Sequence, residues 1–367
     1  MNWNSQQEQA LRDVDRWFYT ESKRKPIYRV FGYAGTGKST LARHFASNID
    51  GEVCYAAYTG KAADVMRKAG CHGAKTIHSL IYKAEEDEKG RLHFKLNRKS
   101  ELKDAALLII DECSMVDQKI GNHLLSFGVP ILVLGDPAQL PPPNGAGFFT
   151  EAKPDNMLTE IHRQAGDNPI IELSKRIREG ESLDVGTYGE TRVVRKITKQ
   201  DFLEADQVLV GRNATRMSKN YQMRRMLGHG DGLMPVIGDK LICLKNDSEL
   251  GIYNGMMFRV DGINQQLSGA KSKFMHMTLD GDGYRHAIIT KTPKAFFTGE
   301  KIPPGSPLLK QGQQFDYGYA ITVHKSQGSQ WDNVLIYDES WCFREEWQRW
   351  LYTAVTRAAE KFTLVVD

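Results

Sequence analysis

An eight-residue segment near the start of the chain has the spacing of a phosphate-binding loop. The segment GYAGTGKS, residues 32–39, fits the pattern G-x4-G-K-S. Its glycines let backbone N–H groups curl around phosphates, the Lys38 ammonium can reach the β- and γ-phosphates, and the Ser39 hydroxyl can ligate Mg2+. The pattern predicts a site for ATP and Mg2+. The residues assigned to this site are Gly32, Gly35, Thr36, Gly37, Lys38, Ser39 and Thr40.

Two adjacent carboxylates are the second candidate half of this site. Asp111 and Glu112 follow the apolar run LLII at 107–110, and α/β sheets bind their ligands at the carboxyl ends of such strands. Asp111 is predicted to hold Mg2+ together with Ser39, and Glu112 to act as the general base that activates the attacking water. Alone, the pair would be typical of a solvated strand end. Beside a phosphate-binding loop, it favours hydrolysis of the triphosphate.

Buried strands followed by helices are needed to position these residues. Apolar, β-branched runs alternate with glycine-rich turns and helical patterns, which indicates an α/β fold with parallel sheets. The pattern predicts strands at 28–31, 53–57, 107–110, 131–134, 207–210, 334–337 and 363–366. It predicts helices at 40–47, 62–68, 170–178, 216–226 and 345–355.

Two stretches break this alternation. Residues 82–103 contain an acidic cluster, Lys89-Gly90 and an alternating apolar and polar segment, which predicts a small β-hairpin. Residues 236–315 contain Asn-Gly and Asp-Gly turns between β-like segments, which predicts a small antiparallel barrel. Both stretches are interpreted as inserts in the α/β framework.

Composition excludes several classes of protein. The 367 residues are 41% hydrophobic and 26% charged, with a net charge of +4, so bulk disorder is excluded and charge alone does not identify a nucleic-acid-binding protein. No apolar run approaches the roughly 18–20 residues of a membrane span, and the N-terminus lacks a signal-peptide pattern, so a cytoplasmic location is expected. The five cysteines are widely spaced and are expected to be reduced and mostly buried.

Further segments occur in an order that resembles the motifs of superfamily 1 helicases. They are YTGKAA at 58–63, TIH at 76–78, GDPAQLPP at 135–142, TEIHRQ at 159–164, AITVHKSQG at 320–328 and LYTAVTR at 351–357. With the phosphate-binding loop and the Asp-Glu pair, the series is most similar to the 5′-to-3′ branch, which includes RecD-like enzymes and the small DNA-dependent ATPase helicase of T-even phages. The resemblance extends from about residue 3 to the C-terminus.

The resemblance implies two RecA-like lobes that bind ATP. Lobe 1A would comprise residues 1–81 and 104–158, the hairpin 82–103, lobe 2A residues 159–235 and 316–367, and an SH3-like insert residues 236–315. Gln7 resembles the glutamine that reads adenine, although an exposed helical glutamine is often only solvated. Gln139 resembles the γ-phosphate sensor, and Gly328 is assigned to the nucleotide site. Arg163 and Arg357 match the two arginines that stabilise charge on the transferred phosphoryl group, with a surface salt bridge as the alternative.

The resemblance also implies a track for single-stranded DNA. Sequence-independent contacts are expected from Thr59, Lys61, Thr76, His78, Thr322, His324 and Lys325. His324 could instead link the DNA site to the ATP site. The hairpin corresponds to the element that splits the duplex, with Phe94 as its candidate aromatic tip or, alternatively, a core residue. Tryptophans crowd the C-terminal residues and could stack on bases, but the helical spacing of Trp347, Trp350, Leu351 and Val355 favours packing.

The function predicted from these features is an ATP-dependent DNA helicase that moves 5′ to 3′ on single-stranded DNA. Expected partners are single-stranded DNA, junctions of single- and double-stranded DNA, and single-strand-binding or replication proteins; the chain is expected to be a monomer. Two lobes and two inserts account for its length, which predicts a near-minimal helicase. The alternatives are an RNA helicase, a translocase that does not separate strands, and a non-catalytic nucleic-acid-binding protein.

Overall fold

A computed structural model describes residues 3–86, 92–141, 147–160, 168–247, 250, 252–281 and 287–366, without the side chains of 84–86 and 92–94. The α-helices are α1 (Ser5–Arg16), α2 (Lys38–Ala46), α3 (Gly60–Lys68), α4 (Ile77–Ile81), α5 (Gln118–Leu125), α6 (Pro169–Arg178), α7 (Lys199–Glu204), α8 (Asn213–Met226), α9 (Ala295–Thr298), α10 (Pro307–Gln311), α11 (Val323–Ser326) and α12 (Trp347–Val355). A π-helical turn, Trp17–Glu21, continues α1, and a 3-10 segment, Ser340–Glu346, precedes α12.

The strands belong to four sheets. They are β1 (Ile27–Gly32), β2 (Val53–Ala57), β3 (Lys75–Thr76), β4 (Tyr82–Glu86), β5 (Leu92–Leu96), β6 (Leu107–Asp111), β7 (Ile131–Gly135), β8 (Asn156–Leu158), β9 (Gly186–Tyr188), β10 (Thr191–Val194), β11 (Gln207–Val210), β12 (Lys240–Cys243), β13 (Met257–Ile263), β14 (Phe274–Asp280), β15 (Ile288–Pro293), β16 (Phe315–Tyr317), β17 (Ala320–Thr322), β18 (Trp331–Tyr337) and β19 (Ala358–Val365).

The chain forms two compact units. The first unit contains residues 1–183, 327–330 and 343–357, and the second contains residues 184–326, 331–342 and 358–367. These boundaries differ from those of the predicted lobes, because α6, α12 and the segment 327–330 belong to the first unit. Helices α6 and α12 contact each other within the first unit. The predicted lobe boundaries remain an interpretation of sequence motifs.

The first unit is built on a parallel sheet in the order β3-β2-β6-β7-β1-β8. Successive residues of β6 point to opposite faces: Leu108 and Ile110 join a cluster with Phe31, whereas Ile109 joins one with Val30. Both faces of the sheet are therefore buried, which explains why its strands are continuous apolar runs without alternation. The four strands predicted in this half of the chain are all present.

The predicted hairpin is present between α4 and β6. Strands β4 and β5 pair antiparallel in a two-stranded sheet, with Tyr82 opposite Leu96 and Lys83 opposite Lys95. Its base is anchored because the hydroxyl of Tyr82 lies 2.6 Å from Nδ1 of His123 on α5. The side chain of Phe94 lies outside the described residues, so its assignment as the tip stays a prediction.

The second unit contains a second α/β sheet in the order β17-β11-β18-β19-β10-β9. Its strands run parallel except β9, which pairs antiparallel with β10. Strand β11 lies between β17 and β18, with Val210 opposite Thr322 and Leu209 opposite Ile336. The residues that follow these three strands therefore emerge at one edge of the sheet.

The insert of the second unit is a five-stranded antiparallel sheet in the order β15-β14-β13-β12-β16. Its apolar residues form one cluster with residues of β11, β17 and β18, so the insert and the α/β sheet share a core. A buried ion pair fixes its first strand, because Nε of Arg224 on α8 lies 3.0 Å from Oδ1 of Asp239 and both side chains are almost fully buried. The hydroxyl of Tyr319 also donates to this carboxylate, at 3.0 Å.

The cysteines match the expectation from their spacing. All five are free thiols, four of them buried, and burial raises the pKa of the Cys54 thiol to about 11. They are therefore protonated and poorly reactive at neutral pH. Among the described residues, no helix has the length and apolarity needed to cross a membrane.

Candidate active site

The phosphate-binding loop joins β1 to α2. Gly35 and Gly37 have φ angles of 78° and 79°, in the left-handed region that glycine adopts without strain. Gly32 has no room for a side chain, because a Cβ atom there would lie 2.6 Å from Oγ1 of Thr36. Glycine is thus required at the predicted positions for local reasons, and the first N–H groups of α2 face the loop.

Polar side chains of the loop are held by short hydrogen bonds. The Lys38 ammonium donates to the carbonyls of Gly32 at 2.7 Å and Tyr33 at 3.0 Å. The Ser39 hydroxyl donates to Oδ2 of Asp111 at 2.6 Å. Strand β6 therefore brings the predicted carboxylate within reach of the loop, although 72 residues separate it from Ser39. An oxygen pair of this kind suits Mg2+, a hard cation that prefers oxygen ligands.

Glu112 has a strained backbone. Its φ and ψ angles are 53° and 49°, in the left-handed region, and it is one of two non-glycine residues with positive φ among those described. Such strain costs about 1–3 kcal/mol and is typical of functional sites. Burial raises the pKa of the Glu112 carboxyl, while the nearby Arg357 opposes this rise. A carboxylate with a raised pKa is suited to accept a proton from water.

Arg357 lies beside Glu112 in the same unit. Nη1 of Arg357 is 4.0 Å from Oε1 of Glu112. The guanidinium is nearly buried and donates to the carbonyls of Thr353 and Ser329, at 3.1 and 3.3 Å. These bonds hold a planar cation next to the predicted base, at the point where charge on a transferred phosphoryl group would need stabilisation.

Gln139 and Asp136 follow β7 at the same edge of the sheet. The Oε1 atom of Gln139 is buried and has no hydrogen-bond partner among the described residues. Buried acceptors without a hydrogen-bond partner are rare in folded proteins, and this one is placed to accept a hydrogen bond from a ligand or a water molecule. Asp136 accepts a hydrogen bond of 2.6 Å from the hydroxyl of Tyr352, which also accepts one of 3.1 Å from the N–H of Ala34.

Tyr352 therefore connects α12, the residues after β7 and the phosphate-binding loop. Substitution of Tyr352 with phenylalanine should lower the free energy of unfolding by about 1–3 kcal/mol, because the buried Asp136 carboxylate loses its hydroxyl donor. Chemical denaturation of both proteins measures this change. Tyr188→Phe is a matched control, since the Tyr188 hydroxyl donates to a carbonyl in an exposed setting. Equal loss in the two variants would contradict a special role for Tyr352.

A cavity of about 280 Å³ lies beside the phosphate-binding loop. The guanidinium carbon of Arg178, at the end of α6, lies 3.3 Å from the ring centroid of Tyr33, and its Nε and Nη1 atoms have no hydrogen-bond partner among the described residues. The lining residues are Tyr33, Pro137, Ala138, Arg178, Gln348, Arg349 and Tyr352. Sequence reasoning missed Arg178 and Tyr352; for Tyr352, its place inside the LYTAVTR motif was a usable signal.

For three residues predicted to belong to the nucleotide site, the structure gives contacts that do not define their role, or gives no position. Gln7 is buried; its Oε1 accepts from the N–H of Asn4 and its Nε2 donates to the Thr36 carbonyl of the loop, so it caps α1 and contacts the phosphate-binding loop. Gly328 packs on α3, where a Cβ would lie 2.9 Å from Oγ1 of Thr59. Arg163 lies outside the described residues. The assigned roles of these three stay predictions.

The predicted DNA-binding residues of the first unit cluster at the starts of α3 and α4. Thr59 caps α3 by accepting the N–H of Ala62, and Lys61 lies in its first turn. Thr76 is buried, and its hydroxyl caps α4 by accepting the N–H of Ser79. The ring of His78 lies between those of Tyr58 and Tyr82, and burial lowers the pKa of its imidazole. His78 is therefore neutral at neutral pH.

The predicted DNA-binding residues of the second unit lie at the end of β17 and in α11. Burial lowers the pKa of both His324 and Lys325. The Lys325 ammonium donates to Oδ1 of Asn254, in the Asn-Gly turn of the insert. The insert therefore contacts the motif that contains Lys325, a connection that the sequence did not indicate.

Comparison with known proteins gives the same family. A model described as an AAA domain (AAA_30) matches residues 2–199, more than half of the chain, and one described as a UvrD-like helicase C-terminal domain matches residues 317–365. The structure of Bacteroides Pif1 bound to single-stranded DNA has a TM-score of 0.59 to this chain at 20% identity, covering 99% of this chain and 92% of that one. The shared fold consists of two RecA-like lobes with an inserted antiparallel sheet, as predicted.

Two curated relatives match over most of this chain. The ATP-dependent RecD2 DNA helicase of Deinococcus radiodurans is 29% identical over 361 residues, which cover 90% of this chain but only 46% of that protein. The ATP-dependent DNA helicase Pif1 of Bdellovibrio bacteriovorus is 25% identical, over 85% of this chain and 76% of that protein. The chain thus spans about half the length of the RecD2 relative. It belongs to the AAA_30 family, and its motifs and relatives are those of the RecD- and Pif1-like superfamily 1B helicases.

Proposed function

We propose that this protein is an ATP-dependent DNA helicase that moves 5′ to 3′ along single-stranded DNA and unwinds duplex ahead of it. The observation that supports ATP hydrolysis is the grouping of five side chains at one edge of a single parallel sheet: Lys38, Ser39, Asp111, Glu112 and Arg357. The RecD2 and Pif1 relatives are named as ATP-dependent DNA helicases, which supports DNA as the substrate.

The proposed chemistry is in-line attack of water on the γ-phosphorus of ATP, in which the bond to the β,γ-bridging oxygen breaks and ADP and phosphate are released. Glu112 takes the proton of the attacking water, and Arg357 offsets the negative charge that develops on the transferred group. Lys38 exchanges its contacts with the carbonyls of Gly32 and Tyr33 for the phosphates. The buried Oε1 of Gln139 would accept a hydrogen bond at the same edge. We infer that Arg163 supplies a second cation, on the basis of its motif alone.

Ser39 and Asp111 would hold Mg2+. Their oxygens lie 2.6 Å apart and are linked by a hydrogen bond; the Ser39 hydroxyl would give up this bond, keep its proton and turn its oxygen lone pair to the cation. When bound, Mg2+ neutralises charge on the phosphate oxygens. Gln7 is assigned to adenine, and its hydrogen bond to the Thr36 carbonyl supports a place next to the phosphate-binding loop. Gly328 is assigned to the nucleotide site on the basis of its motif alone.

We propose that single-stranded DNA is held by Thr59, Lys61, Thr76 and His78 on the first unit, and by Thr322, His324 and Lys325 on the second. The lowered pKa values of His78 and His324 suit hydrogen bonding and stacking by neutral rings. Cycles of ATP binding and hydrolysis would change which set grips the strand, and so move the protein.

Roles for the two inserts complete the proposal. The β4–β5 hairpin would separate the strands of the duplex, with Phe94 at its tip. The five-stranded insert would be an SH3-like barrel. Closure of that barrel is supported by the N–H of Gln313, just before β16, which donates at 2.8 Å to the carbonyl of Lys291 on β15.

Unwinding of tailed duplexes tests the function as a whole. With ATP and Mg2+, we expect rapid strand separation of a duplex with a 5′ single-stranded DNA tail, and little separation with a 3′ tail or blunt ends. Efficient unwinding from the 3′ tail alone would overturn the polarity. Stronger stimulation of ATP hydrolysis by RNA than by DNA would overturn the substrate.

A variant with a shortened β4–β5 hairpin tests whether duplex unwinding can be separated from movement along single-stranded DNA. Lys83 and Lys95 are paired neighbours, so deletion of 84–94 with an Asn-Gly turn in its place keeps the base of the hairpin. DNA-stimulated ATP hydrolysis should persist while strand separation falls. Unchanged strand separation would identify a translocase whose hairpin does not act on the duplex.

A further inference from the structure

The carboxyl edge of the second α/β sheet carries an exposed tryptophan beside an arginine. Arg212 follows β11 and Trp341 follows β18, and these strands are parallel neighbours. The guanidinium carbon of Arg212 lies 5.5 Å from the ring centroid of Trp341. Trp341 is 63% exposed, whereas Trp350 is fully buried. The helical spacing predicted that Trp350 packs in the core, and its burial confirms this. The indole of Trp341, in contrast, is open to solvent.

A carboxylate fixes the position of Arg212. Glu339 accepts hydrogen bonds from Nε of Arg212 at 3.0 Å, from the N–H groups of Gly211 and Arg212 at 2.7 and 2.9 Å, and from the hydroxyl of Thr215 at 2.5 Å. Within the described part of the chain, the two Nη groups of Arg212 have no hydrogen-bond partner. The arginine is thus oriented in advance, while the N–H groups of both Nη atoms remain available to a ligand.

Arg212 and Trp341 lie at the same edge of the second α/β sheet as the residues already proposed to bind single-stranded DNA. On the other side of β11, Val210 pairs with Thr322 at the end of β17, and Lys325 follows in α11. Thr322 is therefore the last residue of β17, and Arg212 and Trp341 follow the adjacent parallel strands β11 and β18. Residues at the carboxyl ends of such strands form one ligand-binding edge.

We propose that Trp341 and Arg212 form a platform for single-stranded DNA, in which the indole stacks on a nucleobase and the guanidinium binds a neighbouring phosphate. This inference rests on the proposed function. Stacking on an aromatic ring tolerates every base, as a motor that moves along any sequence requires. A protein partner fits less well, because Trp341 is the one exposed large apolar side chain among the described residues 211–216 and 338–346.

Binding of fluorescein-labelled oligo(dT) of about 16 nucleotides, followed by anisotropy, tests the platform. Trp341→Ala should raise the Kd about 5- to 150-fold, the range measured for loss of one stacked base, and Trp341→Phe should retain part of the affinity. Tyr19→Ala removes an aromatic residue of similar exposure in the first unit and should leave the Kd unchanged. In ATPase assays, Trp341→Ala should raise the DNA concentration for half-maximal stimulation without changing the DNA-independent rate.

An abasic oligonucleotide of the same length distinguishes stacking from a structural effect. Without bases, wild type and Trp341→Ala should bind equally. Arg212→Ala should weaken binding to both oligonucleotides and reduce the slope of log Kd against log salt by about one.

Two results would overturn the platform: unchanged affinity of Trp341→Ala for oligo(dT), or equal weakening with and without bases. If wild-type ATP hydrolysis is stimulated by single-stranded DNA while Trp341→Ala behaves like wild type, only the platform fails. If wild type neither binds single-stranded DNA nor responds to it, the proposed function fails as well.

Discussion

Substitution of Glu112 with glutamine should lower kcat for DNA-stimulated ATP hydrolysis about 100- to 10,000-fold, while ATP and single-stranded DNA still bind. The reason is that glutamine keeps the size of the side chain and removes the only basic oxygen assigned to the attacking water. Steady-state hydrolysis and equilibrium binding of a fluorescent ATP analogue measure the two effects separately. Normal turnover in this variant would show that another group acts as the base.

Three measurements separate this role from a structural one. Glu151→Gln neutralises an exposed carboxylate of the same unit and should leave kcat unchanged. The base must be ionised to act, and burial raises the pKa of Glu112, so wild-type kcat should fall on acidification at a higher pH than for an ordinary glutamate. Unfolding midpoints that match wild type would exclude loss of fold as the cause.

Substitution of Arg357 with alanine should reduce kcat about 1,000- to 100,000-fold, the effect measured for arginines that stabilise phosphoryl transfer. Affinity for single-stranded DNA in the absence of nucleotide should remain. Arg357→Lys should recover little activity, because an ammonium lacks the planar fork that donates to the carbonyls of Thr353 and Ser329 while facing Glu112. Single-turnover hydrolysis, which isolates the chemical step, is the measurement.

Arg357 is also nearly buried, so its substitution could destabilise the fold. Thermal unfolding of both variants provides the control, and the lysine variant keeps most of the packing volume. If Arg357→Lys folds like wild type and also hydrolyses ATP like wild type, the bidentate role of the guanidinium is refuted. Equal activity of the alanine variant would refute any catalytic role.

The phosphate-binding loop and the strands around it were predictable because their causes are local. Gly35 and Gly37 adopt left-handed backbone angles that other residues avoid, so glycine spacing alone marks the turn. Strands such as β6 are buried on both faces, and burial of both faces requires a continuous apolar run that can be read directly from the sequence. The Asp111–Glu112 pair could be placed at a strand end by the same reasoning.

Contacts between segments distant in sequence could not be predicted in this way. Nothing in the local pattern of Tyr352 indicates that its hydroxyl joins Asp136 to the N–H of Ala34, because that contact depends on how α12 packs in the first unit. The same holds for Thr76, because its local pattern does not indicate that its hydroxyl is buried and caps α4.

Local sequence patterns therefore predict the chemistry: a triphosphate site, its carboxylates and an ordered series of motifs typical of superfamily 1B helicases. Which groups meet depends on the tertiary structure. It placed Arg357 4.0 Å from Glu112, joined Lys325 to the turn of the insert at Asn254, and left Trp341 exposed while burying Trp350. Motifs encode residue types at short range, whereas burial and proximity arise only when distant strands align in a sheet and bring their ends to one edge.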